Sequence, residues 1–294
     1  MQLIKDGDML LIKQRFLIKL ITMILAIITF FLFSSAFAWN TLGHMVVANI
    51  AYQYLTPKVR EQTAILLTAF QQEYPQTNFS QLAAWPDFLR AQKIEIFSHW
   101  HYINLPFSDD GTAITNTIDA DNATWAFNHI KTIVENDRAN VYERARFLAF
   151  LMHITADLHQ PLHTVARLSA AYPEGDHGGN VFWVRYNNER VNLHRLWDGG
   201  VGVLEMKASQ ENVEVLTKML TTLYPPSYFA KQTNELDADH WARAGLSNAQ
   251  MYVYQTTEEQ TVSVEYLASN RKIAQQQLAL AGYRLANVLN QLFD

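Results

Sequence analysis

No cysteine occurs among the 294 residues. That excludes disulfides, and it excludes zinc held by thiolates. Any zinc must be held by His and carboxylate side chains, the donor set of catalytic rather than structural sites. Basic charge is also scarce: 23 Lys and Arg stand against 28 Asp and Glu, a formal net charge of −5. No basic tract advertises nucleic acid, so a nucleic-acid site would need positive charge supplied locally, by metals or a few Arg and Lys. No internal repeat, linker or low-complexity tract interrupts the chain. Charged residues are 17% and hydrophobic ones 49%, a balance that suits one globular domain with a large core.

The first 38 residues read as an export signal. Lys13, Arg15 and Lys19 precede an apolar run over 20–33, and small residues end at Ala36-Phe37-Ala38. A basic region, an apolar region and an A-x-A site together predict cleavage after Ala38. The competing reading is an uncleaved membrane anchor. The mature domain would span 39–294 and begin at Trp39, in the periplasm or outside the cell. Residues 1–38 hold four basic and two acidic residues, so the remainder carries 19 basic against 26 acidic, a net −7. Initiation at Met9 rather than Met1 would leave a signal of more usual length.

One stretch organises the mature chain: Phe147-Leu148-Ala149-Phe150-Leu151-Met152-His153-Ile154-Thr155-Ala156-Asp157. It is apolar on nearly every turn, which predicts a helix running through the core. His153 and Asp157 are four residues apart and share one face. Buried polar groups are costly unless satisfied, and a metal satisfies an imidazole and a carboxylate together. His194 and Asp198 repeat the spacing, and His163 trails the first pair.

The rest reads as mostly α: helices over 43–55, from Thr56-Pro57, from Asp87 to about Phe97, and over 122–136, 141–160, 209–224, 235–256 and 261–292. Thr56 is the N-cap and Pro57 the first helical residue of the second. His99 to Asn104 is expected to be extended and ended by Pro106. Residues 173–180 form a loop. Val181–Tyr186 and Glu189–Leu193 flank Asn187-Asn188 as a small β-hairpin.

Further candidate ligands are His44, Asp87 and His101. Each has an ordinary explanation: an acid favoured by a helix N-terminus, or a satisfied core histidine. The repeated spacing and the number of buried His are what those explanations leave over.

These segments together resemble the zinc-dependent single-strand-specific nucleases: fungal secreted nucleases, plant bifunctional nucleases and bacterial relatives. The matching motifs are Trp39 with Gly43-His44, Ala84-Trp85-Pro86-Asp87, His101-Tyr102-Ile103, Phe147-Leu148 with His153, Asp157-Leu158-His159-Gln160-Pro161-Leu162-His163, Gly178-Gly179-Asn180, and Asn192-Leu193-His194 with Trp197-Asp198. The resemblance implies one helical domain of the phospholipase C/nuclease-like type with a trinuclear zinc cleft. It implies one zinc on Asp87, His101, His153 and Asp157, and a second on His163, His194 and Asp198. The third would sit on His44, Asp157 and the amino group and carbonyl of Trp39, so Asp157 bridges two metals. It further implies catalytic roles for Asp87, Asp157 and Arg90, phosphate contacts by Arg90 and Asn180, and base contacts by Tyr102 and Asn104. The substrate would be single-stranded DNA or RNA and nucleotides, with no stable protein partner. Hydrolysis would leave 5′-phosphate products, with 3′-nucleotidase activity alongside.

Two departures stand out. Asn104 occupies a position where better-known members carry Asp; an amide donates and accepts where a carboxylate only accepts. The loop between His163 and Asn180 is long. His159 reads as a supporting residue, and His99, His129, His177 and His240 as structural or surface. Two rival readings are a zinc phospholipase C and a non-catalytic zinc-binding protein. The first is disfavoured by the His194/Asp198 pair, where that enzyme has His-x-x-x-Glu.

Overall fold

The computed structural model describes residues 39–294, and the export signal expected over 1–38 lies outside the described residues. Among the described residues no helix is long and apolar enough to cross a membrane. The domain is mostly helical and is built around two helices. One is α6, Val141–Asp157, capped by Asn140, whose side chain accepts from the backbone of Tyr142 and Glu143. Every residue from Leu148 to Asp157 is buried, as the apolar pattern requires of a helix with neighbours on all sides. The other is α10, Val264–Phe293, 30 residues with Ser263 as its N-cap. It crosses α1, Thr41–Gln53, closely: a Cβ on Gly282 would lie 2.5 Å from the Ile50 side chain.

The remaining helices form a shell. Helix α2 spans Pro57–Phe70, with Thr56 accepting from the Val59 backbone as expected. Helices α3 and α4 cover Phe79–Leu82 and Trp85–Ala91. Helix α5 covers Ala123–Glu135, α7 Leu193–Asp198, α8 Gln210–Leu223 and α9 Ala238–Asn248. A π-turn over Ala249–Val253 continues α9. The hairpin forms as β3, Trp183–Tyr186, antiparallel to β4, Glu189–Asn192. Asn187 and Asn188 both have positive φ, 50° and 65°, the pattern of a tight hairpin turn matched to strand twist.

Three expectations need correction. The helix beginning near Asp87 stops at Ala91, not Phe97. Lys93 takes φ 65°, and the Ile94 and Lys93 amides bond back to Leu89 and Arg90 carbonyls. This is a left-handed helix stop, normally marked by Gly; lysine in that place hides it. The stretch at His99 is not extended: Ser98–His101 is a 3-10 turn, and extended backbone begins at Tyr102. Pro106 does not end a strand but sits within β1, Leu105–Ser108, which pairs in parallel with β2, Val165–Leu168. A two-stranded sheet has only edges, so a proline lacking its N–H is tolerated there. A 3-10 segment over Pro226–Asn234 is also present.

Candidate metal centre

Six segments deliver the candidate ligands to one buried place. Helix α1 brings His44, α4 brings Asp87, and the Ser98–His101 turn brings His101. Helix α6 brings His153 and Asp157. His163 comes from the 3-10 turn Pro161–Thr164, and His194 and Asp198 from α7. All eight are at most 6% exposed. They form three groups with ligand atoms within 4.8 Å: His44, His153 and Asp157; Asp87, His101 and His153; His163, His194 and Asp198.

The fit to metal can be tested on the hydrogen bonds. His163 Nδ1 donates to the His101 carbonyl at 2.6 Å, and His194 Nδ1 donates to the Gly178 carbonyl at 2.7 Å. A carbonyl only accepts, so both Nδ1 atoms carry the proton and both Nε2 atoms carry lone pairs. Those two Nε2 atoms face one another at 3.0 Å. Two lone pairs at that distance need a cation between them. A proton is disfavoured, because burial holds the His194 pKa down to about 3 and lowers that of His163. Asp198 closes the group, its Oδ2 at 3.5 Å from His194 Nε2. Gln160 fixes this carboxylate, donating to Asp198 Oδ1 at 2.7 Å while accepting from the Leu162 amide.

The other two groups have the same character. His153 Nδ1 donates to the Ala83 carbonyl, which turns its Nε2 toward His101 Nδ1, 2.9 Å away. Both nitrogens of His44, His101 Nε2 and all four oxygens of Asp87 and Asp157 are buried with no hydrogen-bond partner among the described residues. Such orphaned groups are costly, and metal ions would satisfy them. Burial pushes the Asp87 carboxyl up to about 6 and the His101 imidazole down to about 3. The His44 and His153 rings stack at 3.8 Å, 8° from parallel. Zn–N bonds of about 2.0–2.1 Å in tetrahedral geometry separate donor atoms by roughly 3.4 Å. The His–Asp separations of 3.2 to 3.9 Å around Asp87 and Asp157 lie in that range.

Trp39 is fully buried, its indole donating to the Ala156 carbonyl at 3.0 Å, one residue before Asp157. Gly43 lets α1 close on it, since a Cβ there would lie 2.7 Å from Trp39 Cβ. Arg90 follows Asp87 by one turn of α4, and its positive charge acts on Asp87, His101, His163, His194 and Asp198. Tyr102 and Asn104 are half-buried beside His101. Asn180 is half-buried, its amide donating to the His177 carbonyl. A cavity of about 560 Å³ opens at Asp87, lined by Tyr74, Trp85 and Phe88 among others.

His159 is no ligand: Nδ1 donates to Thr155 and Nε2 accepts from Arg284 at 2.8 Å, so both nitrogens are occupied. His99, His129, His177 and His240 are exposed. Sequence reasoning overlooked Gln160 and Arg284. The position of Gln160 between two site histidines was its one signal; Arg284 had none, lying more than a hundred residues from its partner.

The sequence profile of the S1/P1 nuclease family matches residues 39–294. Endonuclease 2 of Arabidopsis thaliana is 27% identical, with 87% of this chain and 90% of that protein aligned. Nuclease S1 of Aspergillus oryzae is 24% identical, over 85% and 90%, and nuclease P1 of Penicillium citrinum is 26% identical, over 54% and 57%. A phospholipase C reading gains no support from these matches. The profile runs through every described residue and all three buried His/Asp groups, and the chain belongs to the S1/P1 nuclease family.

Proposed function

We propose that this nuclease is an exported, zinc-dependent endonuclease that hydrolyses phosphodiester bonds of single-stranded DNA and RNA, leaves 5′-phosphate ends and also removes 3′-phosphates from nucleotides. The observation that carries the metal-dependent reading is the facing pair of His163 and His194 Nε2 atoms, whose lone pairs need a cation. Three zinc ions would be held by Asp87, His101, His153 and Asp157; by His163, His194 and Asp198; and by His44, Asp157 and the N-terminal amine and carbonyl of a chain beginning at Trp39. Zinc in these positions supplies Lewis acidity and concentrated positive charge against a phosphodiester.

The chain's own residues supply binding and orientation. The Arg90 guanidinium offers a planar fork of donors to phosphate oxygens. The Asn180 amide offers a neutral donor to the same group. Tyr102 offers a face on which an unpaired base can stack, and the Asn104 amide can both donate to and accept from a base edge. A paired, stacked base presents no free face, which favours single strands. Since the protein is acidic overall, attraction for the substrate depends on this local positive charge.

The test is metal analysis of the chain beginning at Trp39, followed by cleavage assays on single-stranded DNA, RNA and duplex with and without chelator. Three zinc per chain, chelator-sensitive cleavage and 5′-phosphate ends are expected. Full activity in a metal-free chain would overturn the reading.

A further inference from the structure

Asp176 is fully buried and belongs to none of the three metal groups. Its Oδ2 accepts from the Tyr254 hydroxyl at 2.6 Å, and its Oδ1 from the Arg167 amide at 3.0 Å. The Val181 amide, just past the loop, donates to the Asp176 carbonyl at 3.3 Å. The backbone repeats the anchorage: the Asp176 amide donates to the Arg167 carbonyl at 3.0 Å. One residue therefore ties the start and the end of the 177–180 loop to β2 and to the end of the π-turn. A buried carboxylate is costly unless its lone pairs are filled, and here each oxygen has a donor.

What it anchors is an awkward piece of backbone. His177, Gly178 and Gly179 take φ of 53°, 62° and 80° in succession. A Cβ on Gly178 would lie 2.2 Å from the Leu162 carbonyl oxygen, so the loop is pressed onto the turn that carries His163. This conformation aims the Gly178 carbonyl at His194 Nδ1, 2.7 Å away. The Gly179 carbonyl accepts from the His194 backbone amide at 3.3 Å. The direction of one loop carbonyl thus decides which ring nitrogen of His194 carries the proton and where the other points.

We infer that Asp176 is a positioning residue for the His163–His194–Asp198 metal group, its carboxylate locking the 177–180 loop so that Gly178 holds His194 in the tautomer that binds metal. This rests on the zinc reading of that group. The carboxylate matters because it accepts at both oxygens, from the Arg167 amide and from the Tyr254 hydroxyl. An amide of the same shape keeps one acceptor: its NH₂ group either opposes the Arg167 N–H or replaces the charge-assisted bond from Tyr254 by a weaker neutral one. Outer-shell partners of this kind typically contribute 10–100-fold to metal affinity.

The experiment compares three chains beginning at Trp39: unaltered, Asp176→Asn and Tyr254→Phe. Zinc affinities are read by competition against a chelating dye. The His194 imidazole N–H is followed by NMR in each zinc-free protein. In Asp176→Asn one zinc equivalent should weaken ~10–100-fold while the others keep their affinity, and the His194 Nδ1–H signal should shift or broaden. Tyr254→Phe removes one of the two donors and should weaken the same zinc by a smaller factor. It decides the matter should Asp176→Asn fail to fold. Unchanged zinc affinities and an unchanged His194 signal would overturn the role of Asp176, as would equal weakening of every zinc. A lack of zinc binding by the unaltered chain would instead overturn the metal reading itself.

Discussion

Asp157 and His44 face each other on neighbouring helices, with Asp157 Oδ1 3.4 Å from His44 Nε2. The other oxygen of the same carboxylate lies 3.2 Å from both His101 Nδ1 and His153 Nε2. One side chain thus serves two sets of imidazoles, one per oxygen. Asp157→Asn replaces one acceptor oxygen by an NH₂ group, so one of the two sets meets a donor. This substitution should be the most damaging single change among the ligands. Loss of more than one zinc and a fall in turnover beyond ~100-fold, the upper end for outer-shell changes, are expected. Metal analysis beside kinetics checks it; retention of three zinc ions with wild-type turnover would sink the bridging role.

Tyr102 borders His101 and is half-buried. Its removal in Tyr102→Ala should weaken binding of single-stranded DNA by roughly 1–3 kcal/mol, the range for one stacked base. Hydrolysis of a minimal phosphodiester lacking a base should suffer less. Equal losses on the two substrates would show that Tyr102 meets no base.

Trp39 is locked in place by its indole bond to Ala156. Should its α-amine be a zinc ligand, the amine must be free, because an amide nitrogen is a very poor donor. An unperturbed α-amine has a pKa of about 7.7–8.0 and loses its proton on binding metal. A chain beginning at Trp39 should bind one more zinc than a chain with a methionine ahead of Trp39, and cleave single-stranded DNA far faster. Equal zinc content and equal rates would remove Trp39 from the metal site.

His159 predicts a pH dependence of stability. Burial, with the Arg284 charge added, lowers its pKa well below 6.5. The unfolded chain therefore binds a proton at His159 where the folded chain does not. The contribution to stability is present above the unfolded pKa of about 6.5 and is lost as pH falls below it, by at most about 1.4 kcal/mol per pH unit. His44, His101, His163 and His194 act in the same direction in zinc-free protein. His159→Gln keeps an acceptor for Arg284 but does not titrate. Denaturant melts of the zinc-free proteins between pH 7 and 5 should show a shallower decline for His159→Gln; parallel declines would refute it.

Much of the site was legible because helical spacing is local. His153 and Asp157 lie on one face of a helix whatever else the chain does, and an apolar setting marks that face as buried. The same holds for His194 and Asp198. The Asn187-Asn188 turn and the Thr56-Pro57 start were legible too, since their backbone preferences belong to the residues themselves. The misread places are those where the local signal was absent. Lys93 sits in a left-handed stop with no glycine to announce it, and Pro106 lies in a strand whose partner is sixty residues away.

By itself, the sequence determined which side chains could bind metal, that thiolates could not, and which of them share a helix face. Only the tertiary structure decided that Asp157 turns one oxygen to each set of imidazoles, that Gln160 holds Asp198, and that the Gly178 carbonyl orients His194. The reason is physical: propensity and periodicity act over a few residues. The direction of an imidazole nitrogen or a carbonyl is set by packing between segments that meet only when the chain has folded.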